Sequence, residues 1–147
     1  MAIVESARET DRQAVSELLA ACGLPLEGLE LGFGRFIVAA EESGASRAIV
    51  GCAGLEVHGA HCILRSLAVH PRARGTGIAR ELIDEILSRA RLSGCTDAWL
   101  LTRTVEKLAL RRGFSKVARI DVPRELLDTT EFAIDTCATA TVMRRSL

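Results

Sequence analysis

Tyrosine is absent from this 147-residue chain, tryptophan occurs once and proline three times. Without tyrosine, no phenol is available to donate a proton in a catalytic step. No apolar run reaches the roughly 18 residues that a membrane span requires, and the opening MAIVESARE lacks the pattern of a signal peptide. These features predict a cytoplasmic protein with no membrane partner. Nineteen basic residues balance nineteen acidic ones, so no overall field recruits nucleic acid, and an anion site must be built locally. The five cysteines, Cys22, Cys52, Cys62, Cys95 and Cys137, are odd in number and contain no CxxC pair. That usage fits reduced thiols packed as small core residues and predicts neither a disulfide framework nor a metal. Repeats, low-complexity tracts and Pro/Gly-rich linkers are also missing, so one domain over residues 1–147 is expected.

What the chain does contain is alternation of strand and helix. AIVESA reads as a strand, and Thr10 with Gln13 as a capping box that opens the helix TDRQAVSELLAACG, with Val15, Leu18, Leu19 and Cys22 on one stripe. FIVAAEE, AIVGCAGLEVH and HCILRSLAV read as strands, the last two joined by Gly59-Ala60, a two-residue turn with glycine first, as a type II′ hairpin favours. IARELIDEILSRARLSG gathers Ile78, Leu82, Ile83, Ile86 and Leu87 on one face and ends at Gly94. AWLLT then reads as a buried strand, VEKLALRR as a short helix, Pro123 to Glu131 as another, and ATVMRR as a last strand. Hairpins followed by a helical crossover predict an α/β sandwich around a mixed sheet.

The stretch HPRARGTGIAR, His70 to Arg80, joins a strand directly to a helix. A helix start leaves N–H groups unpaired at the positive end of its dipole, and Gly75 and Gly77 let the backbone approach a ligand at positive φ. Arg72, Arg74 and Arg80 can add charge. This is pyrophosphate chemistry, but a dinucleotide fingerprint fails because Arg80 stands at its third small position, and no GxxxxGK[ST] is present.

With these residues in place, the sequence resembles the GNAT superfamily of acetyl-coenzyme A dependent N-acetyltransferases. Arg72-Ala73-Arg74-Gly75-Thr76-Gly77 matches its R/Q-x-x-G-x-G/A signature, preceded by Leu67-Ala68-Val69-His70-Pro71 and followed by Gly113-Phe114. LRSLAVHP, LLTRT, RRGF and DVPRELLDTTEF…TCATATVMRR are more narrowly similar to the small arsenic-resistance type N-acetyltransferases. The resemblance implies a mixed, mostly antiparallel central sheet flanked by helices, and an acetyltransferase that uses acetyl-CoA and no metal. It places the coenzyme pyrophosphate on the backbone of Arg74, Gly75, Thr76, Gly77 and Ile78, with the side chain of Arg72 or Arg74 nearby. It also implies that the main chain of Leu67 and Val69 pairs with the pantetheine arm, that Val69 N–H serves as oxyanion donor, and that the assembly is a homodimer, as in many relatives. An arsenical or amino-acid-like toxin as acceptor belongs to the narrower resemblance.

Acetyl transfer needs a neutral amine, a polarised carbonyl and a thiolate that leaves. Many family members use a tyrosine at the position that Ala109 occupies here. A general acid contributes ~10² to 10⁴ in rate, and a thiolate of reference pKa about 8.5 leaves without one, so water, Thr102 or Thr104 can take the role. Thr104 also reads as a helix cap before ValGluLys. The loss of the tyrosine keeps a second function open, a non-catalytic acyl-CoA binding or sensing module.

For the amine's proton, the hairpin is informative. A turn at Gly59-Ala60 sets His58 opposite His61, Glu56 opposite Ile63 and Gly54 opposite Arg65, so Glu56, His58, His61 and Arg65 share one face. Leu55, Val57, Cys62, Leu64 and Ala68 are expected on the other face, and Gly54 is expected to leave Arg65 room. Arg65 either binds an acidic group of a small amine acceptor while Glu56 or one histidine relays the proton, or forms a structural pair with Glu56. Arg35 reads as a solvated loop residue or a substrate contact, Trp99 as core, and Cys137 as structural or as a thiol beside the acceptor.

Overall fold

A computed structural model describes residues 1–29, 33–129, 132 and 140–147. Seven strands form one sheet in the order β1-β2-β3-β4-β5-β7-β6: β1 (Ile3–Ser6), β2 (Phe36–Ser43), β3 (Ser46–His58), β4 (His61–Val69), β5 (Asp97–Thr102), β6 (Ser115–Lys116) and β7 (Thr141–Ser146). β4 and β5 are parallel, and the other neighbouring pairs are antiparallel. The sheet is therefore mixed and mostly antiparallel, as expected. The helices complete within the described residues are α1 (Arg12–Ala21), α2 (Ile78–Leu92), α3 (Glu106–Arg111) and α4 (Arg124–Leu127).

Helix α2 crosses between the two parallel strands and buries Ile78, Leu82, Ile83, Ile86 and Leu87 against Ile37, Leu55, Cys62, Leu64 and Leu100. On the other face Val15, Leu18 and Leu19 of α1 pack on Phe36, Val38 and Cys52, while Leu126 of α4 joins Ile63, Trp99 and Val142. Trp99 is core, as its pattern predicts. Gly59 has φ 62°, and Ala60 has no positive φ, which matches a II′ turn and excludes I′. The hairpin register is the predicted one, with His58 opposite His61, Glu56 opposite Ile63 and Gly54 opposite Arg65.

Three local expectations require correction. Thr10 and Gln13 do not form the capping box: a 3₁₀ turn, Glu9–Asp11, precedes α1, and the Arg8 N–H donates to Asp11 Oδ2 at 2.8 Å. Ala68 does not share a face with Leu64. Two residues of β4, Ser66 and Leu67, stand against Ala53 alone, Ser66 takes φ 57°, and this bulge turns Ala68 toward α1 beside Cys52. Gly54 does not leave room for Arg65, because a Cβ there would meet Phe36 Cε1 at 2.5 Å. The space belongs to the phenyl ring.

Asp11 turns inward because Arg47 waits there, donating to its Oδ1 at 3.0 Å and its Oδ2 at 2.9 Å while also reaching Glu5 and Glu42. These hydrogen bonds from Arg47 hold the Asp11 carboxyl below its ordinary range. The stabilisation is thus fully present above the unfolded carboxyl's pKa of about 4 and disappears as pH falls through the lower folded value. Asp11→Ala is expected to cost about 2 kcal/mol at neutral pH, since it removes two charge-assisted hydrogen bonds and leaves Arg47 with Glu5 and Glu42. Urea unfolding at stepped pH should also show a shallower acid limb for Asp11→Asn than for the wild type.

Candidate active site

The pairing of β4 with β5 runs from His61–Asp97 to Leu64–Leu100 and stops there. β4 continues to Val69 and β5 to Thr102, so the strands part and leave a cleft between them. Its walls include Leu64, Arg65, Ser66 and Leu67 from β4, Leu100 to Thr102 with Arg103 to Val105 beyond β5, and Cys22 to Pro25 after α1. The His70 N–H donates to Val50 O at 2.8 Å. Because N–H and C=O alternate sides along a strand, the main chain of Val69, and of Leu67 two residues earlier, faces away from β3, toward the side β5 has vacated. The bulge at Ser66 sets that orientation. Sequence reasoning missed it, and the polar Arg65-Ser66 pair inside an apolar strand was its only signal.

At the upper end of β4, Pro71–Ala73 forms a 3₁₀ turn, and Thr76 Oγ1 donates to Ala73 O at 2.5 Å. Gly75 and Gly77 take φ 79° and 86°, and Gly77 is the N-cap of α2. The first intrahelical bond is Glu81 N–H to Gly77 O, at 3.1 Å. The N–H groups of Ile78, Ala79 and Arg80 therefore have no acceptor within the helix. Here is a ready anion cradle at the mouth of the cleft. Arg74 stays beside it, its Nε donating to Val69 O at 3.0 Å, whereas Arg72 turns away to pair with Glu41 at 2.8 Å.

Thr102 is buried, and its Oγ1 accepts the N–H of Val105 at 2.9 Å and of Thr104 at 3.2 Å. Thr102, not Thr104, therefore caps the turn into α3, and its hydroxyl proton remains to be donated. Ala109 lies fully buried in the α2-side core rather than at the cleft wall. Arg65 is brought to the cleft with its side chain 2% exposed, and it is held by Glu56 Oε2 at 3.2 Å, Ser66 Oγ at 3.1 Å and Glu27 O at 2.6 Å. Glu56 sits behind it, its Oε1 3.1 Å from His58 Nε2.

His61 is set apart from this group. Its Nδ1 accepts the Trp99 indole N–H at 3.2 Å and its Nε2 lies 3.2 Å from Glu125 Oε1. Arg35 reaches Ser93 Oγ, at the far end of α2, and so stands away from the cleft. Among the described cysteines, all four are free; Cys52 and Cys62 are buried, and that burial pushes both thiols up to about 12. Cys137 lies outside the described residues. No group of three or more His, Cys, Asp or Glu gathers as a metal site among the described residues. None of their helices is long and apolar enough to cross a membrane.

Parallel strands β4 and β5 thus part beyond Leu64 and Leu100, and the glycine-rich turn follows β4. The family profile described as "Acetyltransferase (GNAT) family" matches residues 5–114. The chain belongs to the GNAT acetyltransferase family. No curated protein matches it in a sequence search. Among solved structures, the GNAT chain is similar to Rv2747 from Mycobacterium tuberculosis in complex with CoA and NLQ, at 24% identity and TM-score 0.81, covering 99% of each chain. It is similar to a GNAT-family acetyltransferase from Staphylococcus aureus Mu50, at 14% identity and TM-score 0.80, covering 100% of this chain and 99% of that one. N-acetylglutamate synthase from Neisseria gonorrhoeae, complexed with coenzyme A and L-arginine, matches at 21% identity and TM-score 0.79. The GNAT chain aligns over 99% of its own length there and spans only 33% of the synthase. At these identities the likeness speaks for the fold.

Proposed function

We propose that the whole chain, 1–147, acts as one acetyl-CoA dependent N-acetyltransferase domain that acetylates the amine of a small molecule by direct attack on the thioester. The observation that carries this reading is the cleft where β4 and β5 part, with the Gly75/Gly77 cradle at its mouth. Acetyl-CoA, when bound, supplies the acetyl group activated as a thioester. The residues present fit it: the backbone of Arg74, Gly75, Thr76, Gly77 and Ile78 offers N–H groups to a pyrophosphate, and the main chain of Leu67 with the N–H of Val69, whose carbonyl is taken by Arg74, faces the pantetheine amides. Arg74 adds charge beside the cradle, and Arg72, held by Glu41, contributes only at longer range.

In the proposed chemistry Val69 N–H steadies the oxyanion, a task that asks for no particular side chain. Thr102 donates its hydroxyl proton as a hydrogen bond to the departing sulfur, in place of the tyrosine the chain lacks. Glu56 accepts the amine's proton through water and passes it to His58, the histidine it contacts. Arg65 faces the acceptor's acidic group. Arg65 and Arg103 are the charged residues among the described lining of the cleft, which holds no carboxylate there. The Arg65 guanidinium at the cleft wall, although held by Glu56, fits an acceptor with an anionic group better than a polyamine.

The test is thiol release from acetyl-CoA across amino acids, arsenical amino acids and polyamines. Acceleration by an anionic amine is the expected result. Acetyl-CoA binding without acceleration by any amine would instead support the sensing module that Ala109 keeps open. In the same assay Thr102→Val is expected to lower kcat about tenfold or more, with Thr102→Ser restoring most of it, because serine keeps both the cap and the donor.

A further inference from the structure

The bulge in β4 is built around one serine. Among the described residues, Ser66 is the one residue other than glycine held at positive φ, 57°. A glycine would sit there without strain, so a serine kept at that angle points to a use for its side chain. Both ends of the residue are tied down: the Cys52 thiol donates to Ser66 O at 3.3 Å, and Arg65 Nε donates to Ser66 Oγ at 3.1 Å. Ser66 also lines the cleft where the strands part.

A serine hydroxyl accepts up to two hydrogen bonds and donates one. Here Arg65 uses an acceptor position, and among the described residues nothing takes the Ser66 hydroxyl proton. Arg65 itself stands further back. Its side chain is 2% exposed, and its Nε, Nη1 and Nη2 are given to Ser66, Glu56 and the Glu27 carbonyl. An anion in the cleft therefore meets the serine hydroxyl before the guanidinium. Because that hydroxyl accepts from a cation, its own proton is more strongly polarised, and it carries the influence of Arg65 out to the cleft. We propose that the Ser66 hydroxyl receives the anionic end of the acceptor, donating a hydrogen bond to its carboxylate while Arg65, anchored by Glu56 and Glu27, holds and polarises it. This rests on the acetyltransferase reading above and assigns the direct acceptor contact to the serine beside Arg65. Ser66 is then the specificity-determining residue, and Arg65 the positioning residue behind it.

The test is steady-state transfer from acetyl-CoA to small amino acids and to their carboxamides, by the wild type, Ser66→Ala and Ser66→Gly. Each variant is compared with the wild type on both acceptors, so the difference in amine pKa within a pair cancels. The wild type is expected to prefer the carboxylate, and both variants should lose about tenfold of that preference, mostly through KM for the carboxylate. Glycine relieves the strain at φ 57° and alanine keeps it, so a loss in both reports the hydroxyl. CoA affinity, read by calorimetry, should move little, and far-ultraviolet circular dichroism checks that each variant is folded. An unchanged preference, or a loss in only one variant, would overturn the assignment and leave the acetyltransferase reading standing. So would a wild type that acetylates carboxylate and carboxamide equally well. Transfer to no amine at all would overturn both.

Discussion

Gly75→Val is expected to weaken acetyl-CoA binding about a hundredfold, near 2.7 kcal/mol, while leaving the chain folded. Two effects add. Gly75 sits at φ 79°, a region a β-branched residue enters only with strain. A Cβ there meets nothing within 4 Å, so no core contact is lost, and the new side chain occupies the open space over the backbone N–H groups instead. The expected signature is therefore selective: a small loss of thermal stability and a large loss of affinity in titration calorimetry. Gly75→Ala should fall between, because the methyl group obstructs less. Unchanged affinity in a folded Gly75→Val protein would show that the cradle does not hold the coenzyme.

Gly54→Val is expected to do the reverse, destabilising the fold by about 3 kcal/mol. The Cβ position lies 2.5 Å from Phe36 Cε1 and 2.6 Å from Phe36 Cζ, and the ring has little freedom to give way. Phe36 is 2% exposed, stacked on Phe33 at 5.3 Å, and pairs across the sheet with Gly54 itself. Moving it disturbs the α1-side core and the strand opposite Arg65. Gly59→Ala is the contrasting control: nothing surrounds its Cβ, so the cost is that of φ 62° alone, about 1 kcal/mol. Chemical denaturation of the three proteins should rank them wild type, Gly59→Ala, Gly54→Val in falling order.

The parts of this structure that were legible in the sequence are those where one local pattern decides. The Gly59-Ala60 turn set the β3/β4 register residue by residue, and that register placed Glu56, His58, His61 and Arg65 on one face. The amphipathic stripe of α2 and the glycines before it located the cradle in the same way. What the sequence concealed depends on contacts between distant segments. The bulge at Ser66 answers to a one-residue mismatch between β3 and β4, and it moved Ala68 to the other face, with only the adjacent polar pair Arg65-Ser66 in CILRSLAV to signal it. The inward turn of Asp11 follows from Arg47, 36 residues away. His61 and His58 look equivalent at the two ends of the turn, yet Trp99 and Glu125 engage one while Glu56 engages the other. Gly54 was read as room for Arg65, but Phe36 comes from a neighbouring strand to fill it. Arg65 itself binds the carbonyl of Glu27, a partner no spacing rule could name.

This last contact bears on the acceptor side of the cleft. Arg65 joins β3, β4 and the segment after α1 at one point, so the wall carrying Leu24 and Pro25 is fixed by the same guanidinium that faces the proposed substrate. A substitution at Arg65 thus reports on the wall and on the acceptor together, whereas substitutions in the cradle report on the donor alone.

The measurement that tests the central claim most directly follows the acetyl group itself. The protein is incubated with acetyl-CoA carrying a carbon-13 label in the acetyl carbonyl, together with a panel of small amines, and products are read by mass spectrometry. The account predicts a labelled amide on an amine that also bears an anionic group, with free coenzyme A formed in equal amount. Labelled acetate alone, at a rate no amine alters, would contradict it.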